Sequence, residues 1–197
     1  MIDKTKLGLH LPTDPRWVNM AEMSLEDILT DHAFCEQKAA STCISLIQQY
    51  PDKKELLQAL CPVVTEEWGH FRMVLREMEK RGLNLGHQRR DEYVLALHKF
   101  RKGGNREIAL IENLLVCALI EARSAERFRL LSLHISDEQL RSFYHDLMVS
   151  EAGHYKMFLE LAILYGGEAK VRKRWQEYLA FEAEIMKNLD ADGKTIH

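Results

Sequence analysis

Apolar residues recur at helical rather than strand spacing through most of the chain, and short polar or glycine-bearing breaks separate the stretches. The first predicted helix starts at Ser24, a good N-cap with Glu26 and Asp27 in the turn that follows. It runs to about Gln49, and Pro51 and Asp52 make the turn. The second covers about Lys53 to Arg81 and ends at Gly82, a residue suited to a helix C-terminus. Pro62 lies inside it and is expected to kink or split it, because proline removes a backbone donor and crowds the preceding turn. The 22 residues from Leu83 to Gly104 include Gly86, Gly103 and Gly104, and their middle, near Asp91 to Arg101, predicts a short helix inside a long crossover. Further helices are predicted over about Asn105 to Ile135, from the cap Asp137 to near Gly166, and over about Glu168 to Leu189. Alternating β-branched runs are absent, so an all-α fold is expected. Its form is two helical hairpins joined by the crossover into a four-helix bundle, with an additional C-terminal helix packed outside.

A length of 197 residues fits a single domain over 1–197, with the crossover at about 83–104. The 46 % hydrophobic and 29 % charged content is that of a soluble globular protein, and no apolar run is long enough to span a bilayer. Met1 to Lys4 contains no apolar signal core, so a cytoplasmic location is expected. Cys35, Cys43, Cys61 and Cys117 form no Cys-x-x-Cys pair and read as reduced core thiols, which excludes a rubredoxin-type iron centre.

Candidate chemistry changes this picture. A glutamate followed about thirty residues later by Glu-x-x-His occurs twice: Glu36 with Glu67 and His70, and Glu121 with Glu151 and His154. Positions i and i+3 share a helix face, so each Glu-x-x-His can present both groups to one ion pair. Four carboxylates and two imidazoles are the set with which four-helix bundles hold two iron or manganese ions. Without metal, four buried carboxylates would repel one another and some would protonate. With nine histidines and twenty glutamates in the chain, chance supplies about one Glu-x-x-His, so the motif alone decides nothing. The partner glutamates, 31 and 30 residues upstream, decide more, as does the local match between Glu36-Gln37-Lys38-Ala39-Ala40 and Glu121-Ala122-Arg123-Ser124-Ala125. A separation near thirty suits one helix up, a turn, and the next helix down to the same level. Near these positions the same faces hold His32, Ala39, Ala40 and Cys43; Leu114, Cys117, Ser124, Ala125 and Phe128; Val63, Phe71 and Val74; and Leu147, Tyr155 and Phe158. Small residues among them would admit dioxygen and a thin apolar substrate, although an ordinary bundle core uses the same types. His32 is a candidate for a hydrogen bond to a ligand or a core histidine. Glu66 and Glu126 lie off the ligand face and are excluded.

The net charge of −3 argues weakly against nucleic acid, but the distribution is uneven. From Lys80 to Arg106 eight Lys/Arg face two acids, a local +6 that leaves −9 elsewhere. Lys170-Val171-Arg172-Lys173-Arg174 is a second cluster. Both could meet a phosphate backbone or be solvated surface.

Three segments resemble the MiaE family of bacterial tRNA hydroxylases: Leu29 to Ala40, Ile120 to Phe128 and Ser150 to Tyr155. Ala125 and Gly153 stand where some members carry cysteine and arginine, and neither is a ligand position. The resemblance implies a ferritin-like fold and a non-haem di-iron centre. It implies oxygen-dependent hydroxylation of the isopentenyl tail of 2-methylthio-N6-isopentenyladenosine, beside the tRNA anticodon. Glu36, Glu67, His70, Glu121, Glu151 and His154 become the six ligands, with Glu67 and Glu151 bridging and Glu36 and Glu121 terminal. No Gly-x-Gly-x-x-Gly is present, so the electrons are expected from a separate reductase or ferredoxin. The basic stretch from Lys80 to Arg106 becomes a candidate for tRNA phosphate contacts. The alternatives are a ferritin-like iron-binding protein or ferroxidase without organic substrate, a di-iron oxygenase of a small lipid or quinone, and a helical interaction protein with accidental motifs.

Overall fold

The computed structural model describes residues 7–191, so Met1 to Lys4, read above for the absence of a signal core, lie outside the described residues. Those residues form seven α-helices and no strand. They are α1 (Arg16–Met23), α2 (Leu25–Gln49), α3 (Lys54–Lys80), α4 (Glu92–Phe100), α5 (Arg106–His134), α6 (Glu138–Gly166) and α7 (Glu168–Ala191). Every predicted helix is present within a few residues, and α1 was not predicted. The chain divides into two compact units, one of residues 21–90 and the other of the residues up to Met20 with those from Asp91 onward.

In the first unit α2 and α3 pack on each other as a hairpin. The apolar face of α2 buries Ile28, Leu29, Ala33, Ala40, Cys43 and Leu46, at the three- and four-residue spacing of one helix stripe. Burying a leucine such as Leu46 contributes about 1.5–3 kcal/mol. Ser24 stands at the N-cap of α2, but its side chain makes no capping hydrogen bond. Pro62 does not split α3, which runs unbroken through it. Pro62 and Gln58, whose carbonyl the proline leaves unpaired, are both exposed, so water can take the freed acceptor. Gly82 ends α3 in the left-handed region at φ 65, which only glycine adopts without strain. The chain then returns along α2, where the Asn84 N–H donates to Glu26 Oε1 at 2.9 Å and Arg89 pairs with Asp27 at 2.5 Å.

In the second unit α5 pairs with α6, while α7 packs on α4, α5 and α6. Six consecutive residues of α5, Leu114 to Leu119, are buried, as expected of a helix covered on all sides. The Asn105 and Asp137 side chains cap α5 and α6: Asn105 accepts from the Ile108 N–H, and Asp137 from those of Gln139 and Leu140. Two buried charge networks tie the unit together. Glu112 accepts from Arg174 at 2.8 Å, from the Lys102 backbone N–H at 2.9 Å and from the Tyr178 hydroxyl at 2.7 Å. Arg123 donates to Glu182 at 2.7 Å, to the Leu11 carbonyl and the Thr13 hydroxyl at 2.9 Å each, and also to Glu126.

Candidate metal centre

Five of the six ligand positions that the sequence motifs propose are buried, and the sixth, His70, is half-buried. In the first unit Glu36 of α2 and Glu67 of α3 are 3 % and 0 % exposed. The His70 ring lies one turn beyond Glu67, with Nδ1 3.3 Å from Glu36 Oε2 and 3.5 Å from Glu67 Oε2. In the second unit Glu121 of α5 and Glu151 and His154 of α6 are all buried. His154 Nδ1 lies 4.0 Å from Glu151 Oε1, so the i,i+3 spacing brings both side chains to one face as expected.

Two groups of side chains among the described residues could hold a metal ion. Glu36, Glu67 and His70 form one in the first unit, and Glu121, Glu151 and His154 form the other in the second; within each group the ligand atoms lie within 4.8 Å of one another. All six predicted ligands fall in these groups.

The electrostatics point the same way. Burial pushes the Glu36 carboxyl well above the usual range; the His70 hydrogen bond opposes this, and the neighbouring Glu67 charge adds to it. Burial alone would lower His70, but its hydrogen bonds to Glu36 and Glu67 outweigh that and raise it to about 10. An imidazolium thus partly offsets the paired carboxylates, a task that a divalent cation performs more completely. Burial, with the Glu121 charge, pushes the Cys117 thiol up to about 12, which keeps it protonated and out of the ligand set. Oxygen and imidazole donors without thiolate suit iron or manganese, and the buried Glu and His cluster fits a di-iron site.

Other predicted positions fall elsewhere. His32, Ala40, Cys43, Leu114, Cys117, Ala125, Phe128, Val63, Val74, Leu147 and Phe158 are buried, whereas Ala39, Phe71, Ser124 and Tyr155 are half-buried. Glu66 is exposed, as its exclusion requires. Glu126 is also absent from the metal groups, yet it is buried, held by Arg123 and by the Thr13 hydroxyl at 2.5 Å. Cys61 corrects the reading of four core thiols: it is exposed and Cys35 is half-buried, although all four are free. The basic stretches are less available than their charge suggests. Lys80 and Arg81 pair with Glu77, Arg89 with Asp27 and Lys102 with Glu177. In the second cluster Arg174 is buried against Glu112, and Arg172 pairs with Glu168. The residues missed by sequence reasoning are Arg123, Glu112, Glu182 and Arg174. The only signal for them was charge placed inside apolar helical stretches.

The whole chain, residues 1–197, matches the family model described as tRNA-(MS[2]IO[6]A)-hydroxylase (MiaE). A Pseudomonas putida protein named tRNA 2-(methylsulfanyl)-N(6)-isopentenyladenosine(37) hydroxylase is 38 % identical over 98 % of this chain and 93 % of its own length. A Salmonella typhimurium protein of the same name is 28 % identical over 93 % of this chain and 85 % of its own. Among solved structures, a Synechococcus protein titled as having aldehyde deformylating oxygenase activity matches with a TM-score of 0.84 and 34 % identity, covering 88 % of this chain and 86 % of that one. The fold is all-α and ferritin-like. No helix among the described residues is long and apolar enough to cross a membrane. With its full length matched and its relatives covered nearly end to end, the chain belongs to the MiaE family of tRNA hydroxylases.

Proposed function

We propose that this protein is a non-haem di-iron monooxygenase that hydroxylates the isopentenyl group of 2-methylthio-N6-isopentenyladenosine in tRNA. The observation that carries the reading is the double Glu and Glu-x-x-His pattern, its four glutamates buried, in a family whose members are named for this reaction. Glu36, Glu67, His70, Glu121, Glu151 and His154 are the six ligands in this reading. By analogy with the family, Glu67 and Glu151 are the bridging pair in this reading, and Glu36 and Glu121 are terminal. The chain acts as one ferritin-like domain.

Two iron ions held by these residues would supply the reductive activation of dioxygen. The protein's own task is to position and to exclude. Near-complete burial of the four carboxylates keeps bulk water from the reacting carbon. Ala40 and Ala125, small and buried, lie one helical turn beyond Glu36 and Glu121 and leave room for a thin prenyl chain. One oxygen atom ends in the product hydroxyl and the other in water, which requires two electrons and two protons per turnover. The chain shows no flavin or nicotinamide fingerprint, so a separate reductase or ferredoxin is the donor, and the setting is the cytoplasm.

The test is incubation of the reduced, iron-loaded protein with prenylated tRNA and oxygen, followed by mass spectrometry of the digested nucleosides. A gain of one oxygen atom on the prenylated adenosine is expected. An unchanged nucleoside with steady ferrous oxidation would point to a ferroxidase instead. A long-chain aldehyde, offered in parallel because of the activity named for the Synechococcus protein, should remain intact.

A further inference from the structure

The outer face of α3 carries a feature that metal binding does not use. Trp68 stands between Glu67 and His70 in sequence and is 48 % exposed, whereas Trp17 and Trp175 are buried. Its ring is stacked on Phe71, with centroids 4.9 Å apart and planes at 28°, which leaves its other face open. A Cβ at the adjacent Gly69 would meet no atom of another element within 4 Å. Arg72 and Arg76 follow four and eight residues later on the same broad face, spaced about 6 Å along the axis. Both are exposed, and neither makes a hydrogen bond or ion pair with any described residue. The stripe ends one turn later at Glu79.

The second hairpin supplies an internal comparison. Aligning Glu151 with Glu67 places Ala152, Lys156 and Glu160 where α3 has Trp68, Arg72 and Arg76. The aromatic is missing there and the last charge is reversed. Tyr155, the counterpart of Phe71, packs against Trp175 of α7 with ring centroids 5.9 Å apart.

An exposed, braced indole followed by two guanidinium groups without an acidic partner among the described residues is the chemistry that binds single-stranded nucleic acid. The ring stacks on a splayed base, and the cations take adjacent phosphates. We infer that the Trp68–Arg72–Arg76 stripe of α3 is the docking surface for the single-stranded anticodon loop of the tRNA. This rests on the tRNA reading above and names the contact that presents the loop beside Glu67 and His70. Charge complementarity favours RNA over a second copy of this chain, because two copies would set arginines against arginines.

The test uses the full-length, iron-loaded protein and a fluorescently labelled prenylated tRNA. Trp68→Ala should weaken binding roughly tenfold, the usual worth of one stacked base, and Trp68→Phe should recover most of the loss. The Arg72→Gln/Arg76→Gln double variant should lower the slope of log affinity against log salt by about two. Iron content and the thermal midpoint should match the parent in all three, which separates lost docking from lost folding. If the parent hydroxylates tRNA and these variants bind it as tightly as the parent does, the docking surface is wrong and the hydroxylase reading stands. A parent that binds RNA through Trp68 yet forms no hydroxylated nucleoside would sink the hydroxylase reading and support the surface. Sedimentation tests the competing occupant: a parent dimer that dissociates in Trp68→Ala, with RNA affinity unchanged, would assign the stripe to self-association and overturn the proposal.

Discussion

The α2–α3 and α5–α6 hairpins repeat one ligand pattern in two different settings. Two residues after Glu36 stands Lys38, half-exposed and without an ion pair to any described residue. Two residues after Glu121 stands Arg123, 2 % exposed, bonded to Glu182, Glu126, Thr13 and the Leu11 carbonyl. The position is the same and the charge has the same sign, but one is nearly free and the other fastens the amino-terminal segment and α7 to α5. The repeat therefore keeps what a dinuclear centre requires and leaves the flanks to diverge. The second hairpin is braced by α4 and α7; the first presents Trp68 and two arginines to solvent.

The largest effect should show what the hairpins share. Glu36→Ala and Glu121→Ala should each lower tRNA hydroxylation by more than about a hundredfold and reduce bound iron, since losing even a residue that merely supports a ligand costs about ten- to a hundredfold. Equal losses, read by nucleoside mass spectrometry and metal analysis, support a shared dinuclear centre. Full activity in either variant would break the symmetry of the two half-sites.

The next effect should show where they differ. Arg123→Ala leaves Glu126 and Glu182 buried without their cation and should cost about 3–5 kcal/mol in urea denaturation. Lys38→Ala should cost less than about 0.5 kcal/mol. Similar values for both would mean that the buried network does not brace the second hairpin.

Acid should act on that bracing through Glu112. Burial alone would raise its carboxyl, but Arg174, the Lys102 N–H and Tyr178 outweigh burial and hold it below its ordinary value of 4.5. A depressed folded-state value means that the stabilisation is present above the ordinary value and is lost as pH falls through the folded one. The parent should therefore lose stability below about pH 4.5, and Glu112→Gln should show a shallower loss over the same range. Thermal midpoints measured through an acid series read the difference.

Helix starts should give the smallest contrast. Asp137→Ala removes two capping hydrogen bonds from α6 and should cost about 1 kcal/mol. Ser24→Ala at the start of α2 removes no side-chain cap and should change the denaturation midpoint far less.

Several features of this molecule are local and could be read from order alone. Asp137 before Glu138, Gly82 after the last turn of α3, and the three-residue step from Glu to His each act within one or two helical turns. Others depend on what lies opposite. Cys61 and Cys43 both occupy helical stretches, but one faces solvent and the other the core. Glu126 stands outside the candidate metal groups, and what holds it in the interior is Arg123 beside it and Thr13 at a distance of 113 residues. The charge of the stretch from Lys80 to Arg106 was countable, but its pairing with Glu77, Asp27 and Glu177 was not.

By itself, then, the order of residues determined every helix but α1 and the repeated Glu and Glu-x-x-His pattern from which six ligands are proposed, because helical period and capping are short-range and a ligand set is a matter of residue type. Only the tertiary structure decided which charges are spent inside the protein and which remain at its surface. A buried arginine and an exposed one are the same letter, and the difference lies in partners brought close by packing from far along the chain.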